Sequence, residues 1–317
     1  MTVTSPPKRK KKTFDKAALV GSLMFLPYFV FLILFAVVPI IFAARASMTP
    51  SLPVPEGGFG NYWFVLTDFR FLPALTNVAV FLAIYIPSMV ILVAMFSLIL
   101  DTLSKKVTIG LRTVYLVPAS IAGVVAILVW YFMLEPTFSP FRPLLNFFGL
   151  EQGIQVWNVD NLVIIFAAMA FMTGAGNWIV IQYGSLQSIP DDILEAARID
   201  GANVFQVALL IKLPLIKKYL IYMGILTFAA GLQIFVEPFL ISSSVYPNIA
   251  RDWSLNQLAY SLAFTGQNIG AATALSLMLL ATCVVMALWV IYRTDFFDEA
   301  TVSKKKNKKN EMAEVAD

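Results

Sequence analysis

The sequence has no histidine and a single cysteine, Cys283. A lone thiol closes no internal disulfide, and without imidazole a Cys/His metal site is ruled out. Charge is also scarce: Asp, Glu, Lys and Arg make up 13% of the 317 residues, against about a quarter in an ordinary soluble domain. No glycine is followed by lysine, so the chain lacks the Gly-x-x-x-x-Gly-Lys-Ser/Thr loop that cradles phosphates. A Gly-x-Ser-x-Gly elbow is missing too, and a His-based triad is impossible. These absences leave no catalytic residue and no metal site to name.

Apolar side chains dominate what is present, at 59%, where soluble domains hold about 45–50%. Such a chain needs lipid as its solvent, and one helical bundle accounts for it better than two soluble domains. Crossing a bilayer as a helix takes about 20 apolar residues. Charge-free stretches run over 17–44, 71–100, 113–134, 161–190, 219–236 and 253–292. The last begins with Asn256, Gln257, Gln267 and Asn268, so its helix is predicted to start near Asn268. The first follows a basic run and ends in small residues, as a signal peptide does. It far exceeds the roughly 7–15 residues of a signal h-region, and reads as a retained span. Cys283 lies in the last stretch and reads as helix packing.

Basic residues mark the cytoplasmic side of a membrane protein. Of the 23 Lys and Arg, all but Arg45, Arg70, Arg142 and Arg251 fall in the N-terminal tail, in 101–112, in 191–218 or from Arg293 onward. This split predicts an all-α integral membrane protein with six transmembrane helices and both termini cytoplasmic. The net charge of +4 is spread in short runs between apolar stretches. That is a mark of orientation, not the basic face of a nucleic-acid binder. The chain divides into a basic tail (1–16), a peripheral first span (17–46), an outer loop (47–70), a five-helix core (71–293) and a charged tail (294–317). Both tails read as solvated segments able to lie against anionic lipid.

The segment 190–213 is far longer than the roughly 2–8 residues that join bundle helices. Pro190 suits a first helical turn. Asp191 and Asp192 put negative charge at the positive end of the helix dipole. Gly201 suits the left-handed residue that ends a helix. Asn203 is a good N-cap for a second helix, predicted to end near Leu213, with Pro214 beginning the next span. Two short helices that are partly apolar and lie outside the bilayer suggest a docking surface.

Glu195-Ala196-Ala197, then Gly201, Ile211 and Leu213-Pro214 at their spacings, resembles the EAA motif of permease subunits in bacterial binding-protein-dependent ABC importers. The preceding run Leu186-Gln187-Ser188-Ile189-Pro190 and the outer-loop run 142–150 are similar to the carbohydrate-uptake branch, near the maltose permease first subunit. The resemblance covers about residues 71–293. It implies a type I importer permease fold and coupling helices at 190–213 seated in a cleft of an ATPase. Glu195, with Asp192 and Asp200 beside it, would meet that partner's basic groups. Ala196 and Ala197 would allow close approach, and Gly201 would redirect the chain toward the fifth span. The resemblance also implies a second related permease, two copies of the ATPase and an extracytoplasmic solute-binding protein in the bacterial cell membrane. ATP and Mg would be used by the ATPase, with no cofactor bound by this chain.

Polar residues inside spans are costly and are functional candidates by default. Ser120, Thr173, Asn177, Thr227 and Gln233 are the positions that the resemblance favours for a sugar path, most simply for a di- or oligosaccharide. Glycerol-phosphate-type solutes are an alternative within the same family. Glu237, beside Pro238, reads either as the cavity mouth or as a solvated helix-end acid. It is the only acid near a span core, which also leaves open an ion-coupled secondary transporter.

Overall fold

The computed structural model describes residues 16–121, 123–245 and 251–293; most of both charged tails lies outside them. Among the described residues every regular element is helical. The first span joins α1 (Lys16–Leu32) to α2 (Val38–Ser47) through a π-helical segment, Ile33–Val37. A short α3 (Gly60–Thr67) precedes α4 (Phe71–Thr102), the longest helix. Next come α5 (Lys105–Ser120) and α6 (Val124–Leu134), then the short α7 (Arg142–Phe147) and α8 (Gly153–Val156). The fourth long apolar stretch forms α9 (Val159–Leu186). Beyond it lie α10 (Asp191–Ile199), α11 (Val204–Gln206) and α12 (Leu213–Leu215), with a π segment, Val207–Lys212, between the last two. Then follow α13 (Lys217–Leu232), α14 (Val236–Leu240), α15 (Leu255–Tyr260) and α16 (Ile269–Arg293).

Among the described residues, five helices are long and apolar enough to cross a membrane: Leu23–Ser47, Phe71–Thr102, Val159–Leu186, Lys217–Ser243 and Ile269–Arg293. The pair α5 and α6 makes a sixth if it counts as one span, bent by 100°. This is a multi-pass membrane protein. Its large exposed hydrophobics, Phe35, Ile91, Val114 and Val285 among them, face the hydrocarbon that replaces water as solvent.

The core centres on α4 packed against α9, with α5 on α9 and α13 on α4. Small residues let these backbones meet. A Cβ added at Gly176 of α9 would stand 2.1 Å from the Tyr115 carbonyl oxygen of α5. Phe81, Phe166 and Trp253 fill the middle of the core, with Trp253 edge-on to both phenylalanines. The apolar window of the first span has no buried residue, and α2 packs on α16.

A polar knot closes that junction. Asn61 donates to the Ser47 and Thr49 carbonyls, and Ser51 donates to Asn61 and to Asn268. Asn268 Oδ1 in turn accepts from the Ala271 amide and caps α16, at the start that the polar run predicts. Beside the knot, Arg70 chelates Asp68 at 2.8 Å and reaches Asp252 at 3.4 Å. The Arg70 hydrogen bond holds the Asp68 carboxyl below its ordinary value, against the opposing effect of burial.

Three sequence expectations are corrected. The stretch 113–134 is not one straight span, because the helix stops at Ser120 and resumes at Val124 in a new direction. Gly123, at φ +65°, takes a backbone conformation that L side chains rarely adopt. Pro190 precedes α10 with extended ψ and does not join its first turn. Pro214 does not begin the fifth span, which starts at Lys217; it sits in the first turn of α12, just after the π segment. There its missing N–H removes no regular helical hydrogen bond.

Two outcomes are expected. Gly176→Ala lowers the unfolding temperature of the detergent-purified protein, as overpacking of about 1–3 kcal/mol does. Gly184→Ala on the same helix, with open space around its Cβ position, leaves it within error. For Asp68, a lowered folded pKa means that the stabilisation is complete above the ordinary aspartate value of about 3.9 and is lost as pH falls through the folded value. The gap in unfolding temperature between wild type and Asp68→Asn therefore stays constant above about pH 5 and closes in acid.

Candidate functional site

Two helix breaks meet at one place. The first lies between α5 and α6; the second, Gln233–Phe235, separates α13 from α14 within the fifth span. Peptide groups freed by a break cannot face lipid, so irregular backbone at membrane depth has to line a cavity or lie in protein. Here it lines cavities. One of about 270 Å³ is bounded by Phe81 and Tyr85 of α4, Thr173 and Gly174 of α9, and the break from Gly231 to Glu237. Another, of about 200 Å³, is bounded by Ile121 and Gly123 at the first break, Ala126 and Trp130 of α6, and Met169. Thr173 and Glu237 line both.

The six expected path residues divide. Thr173, Gln233 and Glu237 come together on the cavity walls. Thr173 also donates to the Met169 carbonyl of its own helix at 2.9 Å, leaving its lone pairs for the cavity. Glu237 is half-buried and follows the break, so it is not a solvated acid at the end of a continuous helix. Three others lie outside this lining. Ser120 is exposed and bonds back to the Val117 carbonyl; Asn177 is exposed on α9; Thr227 is buried, with no hydrogen-bond partner for its hydroxyl among the described residues. Sequence reasoning missed Phe81, Tyr85 and Phe235, because an aromatic within a span is ordinary core until its neighbours are known. Pro87 inside α4, two residues after Tyr85, is a faint local signal.

The second constellation lies between α9 and α13. α10 carries Asp191 and Asp192 in its first turn and ends in Arg198 and Ile199. Gly201 takes φ +82°. Its amide bonds the Arg198 carbonyl and that of Ala202 bonds the Ala197 carbonyl, the two bonds of a Schellman turn. Asn203 caps the next helix in a reciprocal box with Gln206. Of the expected coupling positions, Asp192, Glu195, Ala196 and Asp200 are exposed, while Ala197 is buried against the protein. Ile211 and Leu213 are half-buried in the second half of the elbow. Ile199 is 86% exposed, so the first helix of the elbow leaves apolar surface open.

An unforeseen residue holds this elbow. Asp101, at the end of α4, pairs with Lys212 and accepts from Gln187 Nε2 at 2.6 Å. The Asp101 and Lys212 side chains are only 7% and 14% exposed.

Cysteine labelling tests the cavity. In a Cys283→Ala chain, Gln233→Cys reacts several-fold faster with a water-soluble maleimide than Gln182→Cys or Thr227→Cys, whose native side chains are fully buried. Equal rates at the three positions exclude a wetted break.

No family model matches the sequence. The diacetylchitobiose uptake system permease protein of Streptomyces coelicolor is 29% identical over 311 residues, covering 90% of this chain and 84% of that protein. The arabinooligosaccharides transport system permease protein of Halalkalibacterium halodurans is 26% identical over 291 residues, covering 90% of each. Among solved structures, a bacterial ABC transporter involved in the import of the acidic polysaccharide alginate superposes with a TM-score of 0.74 at 18% identity. That match covers 88% of this chain and 96% of the other. A bacterial alginate ABC transporter in complex with an alginate pentasaccharide-bound periplasmic protein gives 0.73 at 19% identity, over 87% and 94%. In sequence the chain is thus similar to permease proteins of sugar uptake systems, and in fold to an ABC transporter that imports a polysaccharide.

Proposed function

We propose that the chain is one permease subunit of a binding-protein-dependent, ATP-driven importer, forming half of the path for a di- or oligosaccharide. The observation that carries this is the elbow: an acidic, partly apolar helix held outside the spans with Ile193 and Ile199 exposed. Exposed apolar surface of this kind marks a docking site. Glu195 is exposed and makes no ion pair among the described residues, which leaves it free for a basic group of a partner. The sequence holds no phosphate-binding loop, so ATP and Mg belong to a separate ATPase, two copies of which serve a pair of related permeases. The elbow and both termini lie on the cytoplasmic face, as the distribution of Lys and Arg supports. In a bacterial cell membrane, an extracytoplasmic binding protein delivers solute from the other face.

Substrate class follows from the cavity. Phe81, Tyr85 and Phe235 supply the aromatic part of the wall, and Gln233, Thr173 and Glu237 offer hydrogen-bonding groups. An apolar wall with a few placed polar groups suits a saccharide, whose ring faces are apolar and whose edges are hydroxyls. Neither cavity has a Lys or Arg in its lining. A glycerol-phosphate-type solute would meet the Glu237 carboxylate and no cation, which favours a neutral sugar.

The ATPase partner moves as a pair, drawing the elbows together on ATP binding and releasing them after hydrolysis. Cavity access then alternates between the two faces.

Charge reversal tests the docking. Like charges set against each other at an interface cost several kcal/mol, enough for a loss of about tenfold or more. Glu195→Lys, at an exposed site, should accumulate in the membrane at the wild-type level. It should take up the saccharide held by the cognate binding protein at about a tenth of the wild-type rate or less. Uptake at the wild-type rate rejects the docking role.

A further inference from the structure

The coupling helix is suspended from two points, and both are fastened to one carboxylate. Gln187 closes α9 just before the helix, and Lys212 ends the π segment just after the Gly201 turn. They lie 86 and 111 residues from Asp101 in sequence, yet Gln187 bonds its Oδ1 and Lys212 pairs with its Oδ2. The anchor itself is fixed. Asp101 occupies the last turn of α4, and Leu100 just before it is buried and accepts from Thr108 Oγ1 of α5 at 3.0 Å. We infer that Asp101 is a positioning residue that clamps both flanks of the coupling helix to the end of α4, so that displacement of the elbow reaches the transmembrane core directly.

Physical alternatives are weaker. The covalent route from α10 to α13 passes through the Gly201 turn and a π segment, which are less regular than an α-helix and absorb movement easily. The groove between α4 and the elbow, lined by Ile91, Met95, Ile99, Phe205 and Leu209, is apolar and about 600 Å³ in volume. A slot of that size transmits little by packing alone. A largely buried ion pair is directional, and removing one partner strands a charge. Gln187 adds a second constraint from the other flank, and the three groups leave the loop little independent freedom.

The inference rests on the elbow as the coupling element, but the clamp has a readout that needs neither ATPase nor solute. In a Cys283→Ala chain in lipid nanodiscs, spin labels at Arg198→Cys on α10 and Leu103→Cys just beyond α4 report the separation of the two elements. Wild type should give a narrow distance distribution. Asp101→Asn should broaden it at least twofold, and the exchange Asp101→Lys with Lys212→Asp should narrow it again, since the Gln187 amide can turn to accept from lysine. Gln187→Leu, at an exposed position, should broaden it partly, and it serves where Asp101→Asn does not accumulate. In the assembled importer, Asp101→Asn should move several-fold fewer saccharide molecules per ATP hydrolysed. A wild-type distribution in Asp101→Asn or Gln187→Leu overturns the clamp, as does an exchange variant no narrower than the single. An unchanged ratio of transport to hydrolysis overturns its role in transmission. None of these failures touches the docking role of Glu195, which charge reversal tests separately.

Discussion

A hydrocarbon solvent offers no hydrogen bonds, so each peptide group of a spanning segment must find its partner inside the protein. An unbroken helix meets that demand and carries nothing else. This chain interrupts two of its spans, at 121–123 and 233–235, and brings both interruptions to the same place. The cavity is the necessary surrounding of backbone that has left its helix. Polar side chains gather on its wall, where Gln233, Glu237 and Thr173 stand together.

The same demand explains what could be read in the residues alone. Length and apolarity set the spans at 71–100, 161–190 and 268–292, because crossing the bilayer leaves a stretch little choice. The elbow was legible for a different reason: its determinants are local. Acids in the first turn, a glycine at φ +82° and an asparagine answered three residues later by Gln206 settle the chain path within a few residues. Hydropathy carries no direction, so the 100° bend was invisible: Gly123 sits among apolar neighbours that suit a span whether straight or bent. Non-local contacts were also out of reach. Asp101 stands at a span boundary, where an acid needs no explanation, and its partners arrive from 86 and 111 residues away. Thr227, chosen for its polarity, turned out to be buried away from the cavity lining.

Division of labour follows from these placements. One end of the bundle is fastened by the knot of Ser47, Ser51, Asn61 and Asn268 and by the Arg70 clasp. At the opposite end of α4, Asp101 holds the elbow. A single long helix thus runs from one fastening to the other, with the cavity aromatics Phe81 and Tyr85 along its length. On the proposed function, mechanical input at one end of α4 and solute contact along it would belong to the same element.

Where α5 and α9 touch at Gly176, they do so main chain against main chain. A contact of that kind has no rotamers to exchange, so the two helices slide or tilt only as a unit. Whatever rearrangement accompanies transport must be taken up elsewhere, and the interruptions at 121–123 and 233–235 are where the backbone is already free of its regular ladder. The walls of the cavity would then also be its joints.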